Sequence, residues 1–167
     1  MPIGNAILMR MGIYSDKVHD VKDIPDGATI AIPNDPTNGG RGLLLLQRAG
    51  LLKLKDGVGM KATPKDVVDN PKHLKFKELE AAQLPRSLAD VDAAAITMNY
   101  VMSGGLDVKK QNIFLEPKDE PLAVMIIAAR NKDKDKEAYK AFVKAYQSEA
   151  VKKFIADKYK GTIEPAF

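Results

Sequence analysis

Ala28-Thr29-Ile30-Ala31-Ile32-Pro33-Asn34-Asp35-Pro36-Thr37-Asn38-Gly39-Gly40-Arg41 is the stretch whose reading decides the fold. Residues 28–32 are small or β-branched and read as a buried strand, which Pro33 ends because it has no backbone donor to give a sheet. A loop bearing two glycines follows. Arg41 to Ala49, rich in leucine and closed by Gly50, then reads as a helix. Strand, glycine-bearing loop and helix form the first half of a βαβ unit and point to the α/β class.

Working outward, Ile7 to Tyr14 is apolar except for Arg10 and predicts one buried strand, with a turn at Pro25-Asp26-Gly27 before the central strand. Downstream, Thr63-Pro64 reads as an N-cap with proline at the first helical position, opening a short helix to Asp69. Leu74 to Leu79 alternates apolar and charged residues as a half-buried strand does. Pro85 to Ala89 predicts a helical turn, and Val91 to Thr97 a buried strand running into a helix over Asn99–Ser103 that Gly104-Gly105 stops. A βαβαβα segment thus spans about Asp26 to Leu106. Beyond it, Leu122 to Ala129 predicts an apolar strand. Tyr139, Phe142, Val143 and Tyr146, then Val151, Phe154 and Ile155, recur at helical spacing.

Composition removes several function classes. The chain has 167 residues, 45% of them hydrophobic, enough for a packed core. It has no cysteine, which excludes disulfides, thiolate nucleophiles and cysteine metal sites. The net charge of +4 is spread among acids, as in Lys132 to Lys136 and Lys152 to Lys160, and forms no nucleic-acid-binding cluster. No apolar run approaches the ~18 residues of a membrane span. Met1 to Asn5 has neither the basic start nor the apolar stretch of a signal peptide. His19 and His73 stand apart among charged residues, the serines lack a nucleophile elbow, and Asp90 and Asp92 read as turn residues at a strand start. No catalytic set, metal site or cofactor motif emerges, so a binding protein is expected rather than an enzyme.

The 34–41 loop holds the informative chemistry. Gly39 and Gly40 allow a close backbone approach to a ligand, and Thr37 or Asn38 is placed to cap the helix that follows. Read this way, Arg41 lies in the first turn, where a cation opposes the helix dipole by a few tenths to ~1 kcal/mol. Two readings are open: amides and guanidinium together grip an anion, a planar carboxylate best, or Arg41 pairs with Asp35 or another surface acid. Thr97 and Asn99 lie where a strand meets a helix, at the carboxyl edge where open α/β sheets bind ligands; Asn99 also fits a plain N-cap.

Residues 25–57, through Pro33-Asn34-Asp35-Pro36-Thr37-Asn38-Gly39-Gly40-Arg41 and Leu43-Leu44-Leu45-Leu46-Gln47, resemble the NlpA-type lipoproteins, the substrate-binding proteins of methionine ABC importers. The resemblance continues through Asn70-Pro71-Lys72, Glu80 to Leu88, Ile96 to Tyr100 and Gln147 to Phe154, and covers nearly the whole chain. It implies a periplasmic-binding-protein-like fold of type II with a complete second lobe and the C-terminal elements of an incomplete first lobe. The expected organisation is a hinge strand and linker over 1–25, the second-lobe domain over 26–118, and a hinge strand with C-terminal helices over 119–167. It also implies an amino-acid ligand, methionine or a related carboxylate, an ABC permease as partner, and a periplasmic location. Arg41 would clamp the ligand carboxylate, with Asn38, Gly40, Thr97 and Asn99 around it. The chain departs from the family at Thr97 and near Val124, where the family has asparagines, and by the resemblance the N-terminal portion with the signal, the lipidated cysteine and most of the first lobe is expected to be absent. With that lobe missing, the helices over 137–167 lack partners for their apolar faces, so a homo-oligomer is expected. The alternative function is a ligand-free interaction module or a self-associating fragment.

Overall fold

The computed structural model describes residues 1–167. In chain order, strands β1 (Pro2–Leu8), β2 (Met11–Tyr14) and β3 (Thr29–Pro33) precede helix α1 (Pro36–Arg48). Strands β4 (Lys53–Leu54), β5 (Val67–Asp69) and β6 (Lys75–Leu79), helix α2 (Leu84–Ser87), strand β7 (Ala93–Thr97), helices α3 (Met98–Ser103) and α4 (Val108–Gln111) and strand β8 (Asn112–Leu115) complete the central part. Strand β9 (Val124–Ala128), helices α5 (Glu137–Tyr146) and α6 (Glu149–Tyr159) and strand β10 (Glu164–Pro165) end the chain. The residues divide into two units, Met11–Glu116 and Met1–Arg10 with Pro117–Phe167.

The larger unit is an open five-stranded sheet of order β6-β3-β7-β2-β8. β3 pairs in parallel with β6 and β7, while β2 runs antiparallel to both β7 and β8. The expected βαβ unit is therefore present: β3, α1 and the parallel neighbour β6. All of β7 is buried, which fits its unbroken run Ala93-Ala94-Ala95-Ile96 at the centre of a covered sheet. Leu43, Leu45 and Leu46 of α1 pack with Ile13, Ile30, Ile32 and Ala95 in one core. Each such leucine contributes roughly 1.5–3 kcal/mol by leaving water. Gly50, with φ of +76°, ends α1 in the left-handed conformation that favours glycine. The smaller unit is a three-stranded sheet of order β10-β1-β9 with α5 and α6. No residue of α5 is buried, and in α6 only Ile155 is.

The structure corrects several local expectations. Ile7 to Tyr14 is two strands in two sheets, because the chain leaves one sheet at Leu8, where Met9 N–H donates to the Ala123 carbonyl, and joins the other at Met11. Residues 63–69 form a single 3-10 turn followed by β5, not a helix. The Asp66 carboxylate closes back on Thr63 N–H and Oγ1, and the β-branched Val67-Val68 pair continues into β5, which pairs with β4. The apolar run from Leu122 opens with a 3-10 turn over 121–123, and the strand proper is Val124–Ala128, only partly buried because β9 is a sheet edge.

Candidate functional site

Helix α1 begins five residues before the expected start. Asp35 is its N-cap, its carboxylate accepting Asn38 N–H at 2.9 Å, and Pro36 takes the first helical position. Thr37 and Asn38 therefore lie inside the first turn, and neither caps it. Asn38 turns its side-chain amide back onto Asp35, 3.2 Å from each carboxylate oxygen. The anion at this helix end is the protein's own Asp35 carboxylate. Gly39 and Gly40 serve packing between backbones: a Cβ on Gly39 would lie 2.8 Å from the Pro33 carbonyl oxygen, and one on Gly40 only 2.1 Å from that of Met60. Gly40 also borders a small cleft of about 180 Å³ lined by Asn34, Lys61, Thr63 and Glu78.

Arg41 is the sixth residue of α1, beyond the first turn in which the helix dipole acts, so its placement needs a different cause. It is only 4% exposed, and so is Glu116. Arg41 Nε donates to Glu116 Oε1 at 2.8 Å and Nη2 to Oε2 at 2.5 Å, a side-on bidentate pair. Glu116 Oε2 also accepts Met11 N–H at 2.6 Å. Met11 stands opposite Thr97 in the β2–β7 pairing, so Thr97, Met11, Glu116 and Arg41 form one chain of neighbours. The cluster lies at the sheet end where β3, β6, β7 and β8 terminate and β2 begins, the edge at which open α/β sheets take their ligands. Burying a guanidinium, which cannot give up its charge, requires such a partner.

Thr97 is buried at the head of α3, where it occupies the N-cap position without a side-chain bond to the helix; Asn99 is exposed in the first turn. The structure thus brings Arg41 and Thr97 together with Met11 and Glu116, while Asn38 is tied to Asp35, Gly40 packs closely against the Met60 backbone, and Asn99 faces solvent. Val124, where the second family asparagine was expected, pairs with Leu8 in the smaller unit. His19 and His73 are exposed. No buried side-chain nitrogen or oxygen lacks a partner.

Glu116 is the residue that sequence reasoning missed. It opens the run Glu116-Pro117-Lys118-Asp119-Glu120, which looks like solvated loop, and only the partner of Arg41 shows that its first acid is buried. Asp92 is more than a turn residue. Its carboxylate accepts Thr29 N–H at 2.8 Å and Lys17 Nζ at 3.0 Å, and those partners, the Thr29 amide first, hold its pKa below the ordinary carboxylate value.

Residues 1–167 match the family model described as NlpA lipoprotein along their full length. The chain belongs to the NlpA lipoprotein family. A curated NlpA-family relative, the D-methionine-binding lipoprotein MetQ of Escherichia coli strain K12, is 50% identical over 151 residues, 89% of this chain and 55% of its own length. Among solved structures, a nutrient binding protein from Burkholderia cenocepacia bound to methionine is 48% identical with a TM-score of 0.93, and the match covers all of this chain and 70% of that one. An ABC transporter periplasmic substrate-binding protein from Coxiella burnetii is 40% identical with a TM-score of 0.90, covering 99% and 69%. The expected α/β fold of the periplasmic-binding type is the fold of these NlpA-like neighbours. The chain spans about half the length of the curated relatives it matches. No helix is long and apolar enough to cross a membrane.

Proposed function

We propose that this chain is the solute-binding part of an ABC importer, taking up a small amino acid, methionine or a closely related carboxylate, and that it is a binding protein rather than an enzyme. The observation that carries the reading is the likeness, at 48% identity and a TM-score of 0.93, to a nutrient binding protein bound to methionine. On this reading Arg41 anchors the ligand carboxylate at the carboxyl edge of the five-stranded sheet, with Thr97 beside it. Asn38 and Gly40 play a peripheral part, since Asn38 is bonded to Asp35 and Gly40 packs on the Met60 backbone, while Asn99 is exposed and open to a ligand. The permease is the partner, and the location is periplasmic, as in the name of the Coxiella burnetii neighbour.

Thermal unfolding of the chain with a panel of amino acids, including L- and D-methionine, tests the reading. A ligand present at ~100 times its Kd stabilises the fold by ~2.7 kcal/mol, a shift of several degrees. One or two members of the panel are expected to produce it; a folded chain that none of them shifts contradicts the reading.

Self-association has its own support. Phe142 is 56% and Phe154 55% exposed on α5 and α6, and Ile126 stands out on the edge strand β9. Apolar surface of this kind, beside an unpaired edge, favours a second copy as partner. Light scattering at micromolar concentration reads it directly: a dimer mass is expected, and a sharp monomer mass removes it.

A further inference from the structure

We propose that Glu116 is a specificity-determining residue of this site, making it select a zwitterion over a simple anion. The inference rests on the reading of Arg41 as the carboxylate anchor. Arg41 does not offer an isolated positive charge. Its guanidinium is held side-on by both oxygens of Glu116, at 2.8 and 2.5 Å, in a pair only 4% exposed on each side. The Met11 N–H bond at 2.6 Å fixes the Glu116 carboxylate from a second direction, so the acid is held to the backbone as well as to the cation. The pair carries no net charge.

The unit that holds it carries no net charge either. Residues 11–116 hold fourteen lysines and arginines against fourteen aspartates and glutamates, so the whole net charge of +4 lies in the other unit. A bare carboxylate reaching the remaining donors of Arg41 meets an attraction from the guanidinium that the repulsion from Glu116 partly offsets. An α-amino acid brings an ammonium on the carbon next to its carboxylate, and that ammonium is attracted by the same Glu116 that repels the carboxylate. Glu116 therefore does two things at once: it orients the fork of Arg41 and it discriminates against ligands that lack an amino group.

The test compares two ligands on the purified chain by calorimetric titration near neutral pH: L-methionine, and 4-(methylthio)butanoate, which has the same side chain and carboxylate but no amino group. The wild-type chain is expected to prefer the amino acid by about tenfold or more. Glu116→Gln keeps the shape and an acceptor oxygen but removes the charge, and is expected to lose that preference. A purely structural role would weaken both ligands alike, so a folded Glu116→Gln with an unchanged ratio overturns the proposal. If circular dichroism shows Glu116→Gln unfolded, Glu116→Asp takes its place. It keeps the charge and should hold the ratio while weakening both ligands, and a ratio shifted toward the butanoate overturns the proposal. A wild-type chain that binds the amino acid without preference sinks the role of Glu116 alone. One that binds neither ligand sinks the transport reading and this inference with it.

Discussion

The two units of this chain bury their apolar residues to very different degrees. Met11–Glu116 buries strands β2, β3 and β7 and the leucine face of α1 in one core, and its charges cancel. The residues 1–10 and 117–167 carry the whole net positive charge, and their two longest helices bury a single residue between them. Their apolar side chains meet one another at the surface instead: the Tyr146 ring lies 6.2 Å from that of Phe142 and 5.8 Å from that of Phe167. Helical periodicity thus predicts where a helix forms and which face is apolar, and says nothing about whether that face finds a partner within the chain. In the larger unit the partner is the sheet. In the smaller one much of the apolar face of α5 and α6 stays exposed.

The sharpest contrast should come from the buried ion pair. Glu116→Ala removes the bidentate carboxylate from the buried Arg41 charge and is expected to cost roughly 3–5 kcal/mol in chemical denaturation. A loss below ~1 kcal/mol would show that the pair is solvated and that the unit is less dense than its burial implies. Next comes a matched pair of truncations. Leu46→Ala, in the core beside α1, should destabilise by about 2–5 kcal/mol. Phe142→Ala should lie within ±0.5 kcal/mol, and should lower any dimer fraction seen by light scattering. Equal losses at the two positions would mean that α5 packs as tightly as α1.

The smallest effect is a pH dependence. Asp92, whose pKa the Thr29 amide and Lys17 hold below the ordinary value of 3.8, binds protons more weakly folded than unfolded. Its contribution is therefore present above the unfolded pKa and is lost as pH falls through the depressed folded value. Asp92→Asn should cost about 1 kcal/mol at neutral pH and flatten the acid limb of the stability curve near and below pH ~4. An acid limb identical to wild type would show that the carboxylate is not held as the structure has it.

Much of the fold was legible because its signals are local. Ala28 to Pro33, the leucine run to Gly50 and the alanine-rich Val91–Thr97 each carry a period or a stop that physics reads in only one way. Asp35-Pro36 was legible too, as a capping acid before proline at N1, and the glycines after it drew the reading toward a loop; those glycines are needed because the Pro33 and Met60 carbonyls pass close by, a long-range fact. Arg41 was rightly singled out as unusual, for a reason that does not hold, since it stands past the first turn. Glu116 was invisible, because its partner is 75 residues away and its neighbours in sequence are solvated acids and lysines. The break at Met9-Arg10 was hidden for a similar reason: both strands are apolar, and only their pairing separates them.

The most direct test of the account is calorimetric titration of the chain with L- and D-methionine, in wild type and in Arg41→Lys. Lysine keeps a positive charge beside Glu116 but cannot supply the planar fork. The account predicts measurable binding of at least one enantiomer by the wild type and a Kd weaker by about tenfold or more in an Arg41→Lys chain that circular dichroism shows still folded. Equal affinity in the two proteins would show that Arg41 serves the fold and not the ligand.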